Sequence, residues 1–116
     1  MAPRRVCRID DLPPGGRKIV DGGRRGLGLF NVGGTVVALS NYCPHAGAPV
    51  CRGGVTGTTE SERRYEAKWV RQGEILRCPW HGWEFELKTG RSITRPFRSV
   101  QTYQVTVEEG WIVVDD

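Results

Sequence analysis

Apolar positions recur along this chain in short runs separated by turn residues, which is the pattern of brief strands and tight reversals. Arg4 to Ile9 predicts a first strand, followed by the turn Asp11-Leu12-Pro13-Pro14-Gly15-Gly16. Arg17 to Val20 and Gly26 to Val32 predict two more, separated by Asp21-Gly22-Gly23. Gly33-Gly34 supplies a two-residue hairpin turn into Thr35 to Leu39. Strands are expected again at Glu74 to Arg77 and Trp83 to Leu87. The alternating pair Thr102 to Val107 and Trp111 to Val114, joined by Glu108-Glu109-Gly110, completes a meander of short antiparallel strands. The expected fold class is all-β.

Residues 52–73 break this rhythm. Gly53-Gly54 and Gly57-Thr58-Thr59 lead into Glu60, Glu62, Arg63, Arg64, Glu66 and Lys68, and the stretch reads as an exposed polar insertion at about 52–73. Within it, Ser61 to Val70 reads as a short helix with Ser61 at its cap, although Tyr65 and Trp69 at i,i+4 spacing are its only apolar stripe.

Composition narrows the picture. A chain of 116 residues fits a single domain, 1–116, built on one core. Its 16 glycines and 7 prolines favour turns and short strands over long helices. The longest apolar runs, such as Val36 to Leu39 and Trp111 to Val114, fall far short of the roughly 20 residues a spanning helix needs. Met1 to Asp10 carries no apolar signal region, so a soluble cytoplasmic protein without membrane association is expected. The net charge of +4 comes from basic residues scattered among acidic ones, which reads as a solubility feature, with steering toward an acidic partner left open. No nucleic-acid-binding motif accompanies the charge, and no nucleic-acid partner is expected.

The candidate chemistry lies in the two histidines, each a short step after a cysteine: Cys43-Pro44-His45 and Cys78-Pro79-Trp80-His81. Thiolate is the soft ligand that iron-sulfur clusters need, and neutral imidazole replaces it on one iron of a Rieske centre. Gly47 and Gly82 follow the histidines closely, letting the backbone turn tightly and present amide groups without a Cβ in the way. The competing reading is a structural zinc site of two cysteines and two histidines. It is disfavoured because zinc fingers usually pair Cys with Cys and His with His.

The segments Cys43-Pro44-His45-Ala46-Gly47-Ala48-Pro49 and Cys78-Pro79-Trp80-His81-Gly82-Trp83-Glu84-Phe85, followed by Thr89-Gly90, resemble the two cluster-binding loops of Rieske iron-sulfur proteins. The likeness is to soluble Rieske-type ferredoxins and to the Rieske domain of ring-hydroxylating oxygenases, and it spans nearly the whole chain. It implies an antiparallel β-sandwich of short strands with a small cluster-binding subdomain, where two loops at one tip clasp one [2Fe-2S] cluster per chain. Cys43 and Cys78 would hold the inner iron, and His45 and His81 the outer iron near solvent.

The chain departs from the pattern in places. His45 and Cys78 are separated by 32 residues, about twice the usual spacing in similar ferredoxins. A longer surface loop is tolerated cheaply, since each doubling adds only about 0.6 kcal/mol of closure entropy. Respiratory-complex Rieske proteins carry a further cysteine in each loop, joined as a disulfide; Ala48 and Trp80 stand there in this chain, so no such bridge forms. Their hydroxyl donors are likewise replaced, by Trp83 and Phe85, which implies a potential in the lower part of the Rieske range. Trp80, Trp83 and Phe85 are read both as a screen against water and as ordinary core. Arg95-Pro96-Phe97-Arg98 falls where similar proteins place a third loop, and reads either as a cover that offers positive charge to a partner or as a solvated turn. Cys7 and Cys51 are expected as free thiols, with a bridge between them left open.

The resemblance implies a ferredoxin that takes one electron from a reductase and delivers it to a terminal oxygenase. It would have no catalytic site of its own: both histidines are spent on the cluster, leaving none for a mononuclear iron triad. Two alternatives are a non-catalytic Rieske subunit of a larger oxidoreductase, like the small subunits of some nitrite reductases, and a redox-sensing binding protein.

Overall fold

A computed structural model describes residues 3–23, 25–44, 47–63, 66–80, 82–93 and 98–116, with the backbone alone at 58–63 and 66–71. The strands are β1 (Pro3–Arg8), β2 (Arg17–Val20), β3 (Leu27–Val32), β4 (Thr35–Ser40), β5 (Gly54–Arg63), β6 (Glu66–Arg77), β7 (Glu84–Glu86), β8 (Thr102–Glu108) and β9 (Trp111–Asp115). All pair antiparallel, and the fold is all-β as the pattern of short runs implies. Six strands form one sheet in the order β1-β9-β8-β4-β3-β2, and β5-β6-β7 form a second. The large sheet is joined at its middle by a narrow seam, Ala38 opposite Tyr103 and Leu39 opposite Thr102.

The β3–β4 hairpin closes as its sequence demands. Gly33 and Gly34 have φ of +60° and +99°, and a two-residue turn of this hand needs the left-handed region at both positions.

Two apolar clusters replace the single core expected from length. Side chains alternate along a strand, so β3 sends Leu27 and Leu29 one way and Phe30 the other, while β4 splits Ala38 from Leu39. The first cluster joins Leu27, Leu29 and Ala38 to Cys7, Leu12, Ile112 and Val114. The second lies toward the small sheet and gathers Phe30, Leu39, Val50, Cys51, Leu76, Phe85, Leu87 and Val100. A strand apolar on both faces is the physical cause.

The expected helix over Ser61 to Val70 does not form. Its described residues, 61–63 and 66–70, belong to β5 and β6, in whose ladder Thr58 pairs with Val70, Thr59 with Trp69 and Glu60 with Lys68. Thr56, Thr58, Thr59 and Val70 are β-branched and suit a pleated strand, and oppositely charged residues hold paired positions. Two aromatics at helical spacing are too little to outweigh a paired ladder, even one with register shifts between Thr56 and Thr58 and between Glu60 and Arg63. The base of the 52–73 stretch is tied into the small sheet, where Val55 pairs with the buried Leu76 and Thr56 with the buried Ile75.

Candidate metal centre

Both cysteine loops are built the same way. In the first, the Cys43 amide donates to the Ala48 carbonyl at 2.8 Å and the Gly47 amide donates back to the Cys43 carbonyl at 2.8 Å. In the second, the Cys78 amide donates to the Trp83 carbonyl at 2.8 Å and the Gly82 amide to the Cys78 carbonyl at 3.0 Å. Each loop therefore closes on itself with the cysteine at its first position and a glycine at its fifth. These glycines have φ of +76° and +71°, a conformation costing other residues about 1–2 kcal/mol, which explains their place in both motifs.

Both cysteines are buried in one apolar cluster. Cys43 and Cys78 are 0% and 2% exposed and belong to the same apolar cluster, although 34 residues lie between them in sequence. His45 and His81 occupy the third and fourth positions of their loops and lie outside the described residues, as do residues 94–97 of the expected third loop. Two buried thiols on equivalent loops, each with a histidine a short step on, fit a centre bound through mixed sulfur and nitrogen donors.

Several supports carry no local signal in the sequence. Arg17 on β2 donates through Nη1 to the carbonyl of Cys51 at 3.0 Å and to that of Gly53, with its guanidinium 5.7 Å from the Phe30 ring centroid. It ties down the single turn Val50–Arg52 that leads from the first loop into β5. The Asn41 side chain accepts the Cys51 amide at 2.9 Å, and the Asn41 amide bonds the Gly26 carbonyl at 3.0 Å. The first loop is thus held on either side by polar contacts.

Each loop glycine is covered by an outside side chain. A Cβ on Gly47 would come 3.1 Å from the Tyr42 ring, and one on Gly82 would come 3.1 Å from the Arg77 guanidinium. Arg25 in turn lies over Tyr42, 5.4 Å from its centroid.

The aromatic screen divides. Phe85 is fully buried and Trp83 packs against the same cluster with ring centroids 6.5 Å apart, whereas Trp80 is 58% exposed and belongs to the surface. Cys7 and Cys51 sit in different clusters as free thiols, so the bridge between them does not form. Burial pushes the Cys51 thiol up to about 12 and raises that of Cys7 as well.

An antiparallel β scaffold that buries two cysteines from equivalent loops in one cluster has the form of a loop-ligated metal protein. Residues 2–104 match the model of the Rieske [2Fe-2S] domain, and the chain belongs to that family, whose cofactor is a [2Fe-2S] cluster. It is 30% identical over 111 residues to the 3-phenylpropionate/cinnamic acid dioxygenase ferredoxin subunit of Shigella flexneri serotype 5b (strain 8401), covering 95% of this chain and 90% of the relative. Among solved structures it is similar to the Sphingomonas yanoikuyae B1 ferredoxin, with a TM-score of 0.72, 27% identity and 99% of each chain covered. The ferredoxin of carbazole 1,9a-dioxygenase from Nocardioides aromaticivorans IC177 matches at a TM-score of 0.71 and 27% identity, over 98% of this chain and 97% of that one.

Proposed function

We propose that this chain is a Rieske-type ferredoxin that accepts one electron from a reductase and passes it to a terminal ring-hydroxylating oxygenase, with Cys43, His45, Cys78 and His81 as cluster ligands. The observation that carries this reading is the burial of Cys43 and Cys78, from equivalent loops, in one water-excluded cluster. Similarity to a dioxygenase ferredoxin subunit and to a solved ferredoxin supports the carrier reading.

When bound, the cluster supplies a one-electron couple whose oxidised 2+ core is balanced by two thiolates. The protein supplies the rest. Phe85 and Trp83 exclude water beside the thiols, Arg17 and Asn41 hold the turn behind the first loop, and the bonded amides of both loops fix the ligand backbones before metal arrives. With its two histidines used as ligands, the chain has none left for a substrate-activating iron. A cytoplasmic location accords with the free thiols of Cys7 and Cys51.

Anaerobic reconstitution tests the reading. The wild-type protein is expected to bind iron and acid-labile sulfide in equal amounts and to turn brown. Cys78→Ser and His81→Ala should each abolish the colour, and the loaded protein should couple a reductase to oxygenase turnover. A colourless protein holding zinc, or a Cys78→Ser variant that keeps its cluster, would reject it.

A further inference from the structure

The two ligand loops share a cover as well as a frame. In each, the residue just before the cysteine folds back over the glycine at the fifth position. Tyr42 does this for the first loop, its ring 3.1 Å from the place a Cβ on Gly47 would take. Arg77 does it for the second, with Nη2 at 3.1 Å and Nε at 3.2 Å from the corresponding place on Gly82. The geometry repeats but the chemistry differs. The first cover is an uncharged phenol, with the Arg25 guanidinium a further step away, 5.4 Å from the ring centroid. The second is a permanent cation laid on the loop itself.

The backbone holds Arg77 in that place. It is the centre of a three-strand rung, with Gly54 on one side and Glu84 on the other. Its carbonyl lies so close to Gly53 that a Cβ there would overlap it. The loop beneath is equally fixed, since Gly82 donates to the Cys78 carbonyl at 3.0 Å and Cys78 to the Trp83 carbonyl at 2.8 Å. The guanidinium therefore keeps a constant relation to whatever Cys78 binds.

A fixed cation matters because of what the site holds. Two thiolates balance the oxidised 2+ core, so uptake of one electron adds a negative charge that no ligand offsets. A guanidinium beside the second loop stabilises that added charge, and water at an exposed residue weakens the interaction without abolishing it. Glu84 opposes Arg77 in sign but stays in place when Arg77 is replaced, so the difference between two such proteins reports the cation alone.

We propose that Arg77 raises the electron affinity of the centre, its guanidinium over Gly82 stabilising the reduced state. This rests on the electron-carrier reading and adds to it a tuning residue outside the ligand set.

The test compares wild type, Arg77→Gln, Arg77→Lys and Arg8→Gln, the last of which removes the same charge from the β1–β9 pair. Each protein is loaded with iron and sulfide and equilibrated anaerobically with a one-electron dye of known potential. Reduced dye gives one electron to the oxidised centre, and absorbance reads the balance. Arg77→Gln should lower the electron affinity at least about threefold, equivalent to about 28 mV at about 59 mV per tenfold. Arg77→Lys, which keeps the charge but not the planar fork, should stay within about twofold of wild type, and Arg8→Gln should match wild type. The gap between wild type and Arg77→Gln should narrow as salt rises from about 0.01 M to about 0.15 M, where the screening length falls from about 30 Å to about 8 Å. Equal affinity in wild type and Arg77→Gln would overturn the assignment. So would an equal fall in Arg77→Gln and Arg77→Lys, which would make the effect one of shape. Arg77→Met supplies the neutral variant if Arg77→Gln does not hold iron, and loss of iron from both would also overturn tuning, by making the cation a requirement of assembly. A wild-type protein that takes up no iron would instead overturn the carrier reading.

Discussion

Gly28 on β3 lies directly against the side chain of Cys51, so closely that a Cβ at this position would overlap the thiol. The contact joins the middle of the large sheet to the turn behind the first ligand loop. Gly28→Ala should therefore destabilise the protein by about 1–3 kcal/mol, as overpacking of a filled core does. The double variant Gly28→Ala/Cys51→Ala should recover only part of that loss, because the second change removes the thiol but leaves the Cys51 Cβ and the Phe30 ring in the way. Urea melts of the four proteins measure the coupling, and strict additivity would contradict the contact.

Cys51 should also be chemically silent. With its thiol pushed up to about 12 by burial, it stays protonated at pH 8.5, where a free cysteine is about half ionised. Mass spectrometry after native treatment with iodoacetamide should find Cys51 unmodified, and modified once urea is added. Full labelling of the folded protein would show that the turn opens far more readily than its packing implies.

Arg17 is the residue whose loss should matter most among those remote from the ligand motifs. Arg17→Ala breaks charge-assisted bonds to the carbonyls of Cys51 and Gly53, worth about 1.5–3 kcal/mol together with the stacking on Phe30. Lysine keeps the charge but not the planar fork, so Arg17→Lys should restore less than half. Thermal melts, read with the rate at which a chelator strips iron, separate a local effect on the first loop from a global one.

The ends of the chain respond to acid. Arg4 holds Asp116 through its Nε at 2.9 Å, and this hydrogen bond keeps the carboxyl below the usual carboxylate range. The contribution is present above the ordinary aspartate value and is lost as pH falls through the lowered one. Asp116→Asn should cost at most about 1 kcal/mol at neutral pH, since Arg4 is well exposed, and nothing once both states are protonated. Denaturant melts across the acid range check the sign; a gap that widened in acid would be the wrong one.

The reduction potential should lie in the lower half of the Rieske range, which runs from about −150 to about +300 mV. Phe85, fully buried, and Trp83, packed on the same cluster, stand where hydroxyl donors would otherwise stabilise the reduced state. Protein-film voltammetry reads the value directly, and a potential in the upper half would mean other donors compensate.

What could be read from the sequence was local. The strand β2 and the Gly33-Gly34 turn occupy the expected residues, because alternation and glycine placement encode them within a few positions. The cysteine loops were legible for the same reason: the ligands and the glycines of each lie within five residues. The β5–β6 hairpin was not, since its ladder joins residues up to 23 positions apart and the intervening charges suit a helix surface as well as a strand. Arg17 and Asn41 escaped notice because their partners lie 34 and 10 residues away. The histidine roles rest on the motif, as both lie outside the described residues.

The base of that hairpin has a wider consequence. Gly54 pairs with Arg77, one residue before Cys78, so the exit from the first loop and the entry to the second stand one strand spacing apart, about 4.8 Å. The gap is set by a single rung of the ladder and is indifferent to how much chain hangs beyond it. Residues added to or removed from the outer arm leave that rung in place, so the two cysteine loops keep their distance whatever the spacing of their motifs.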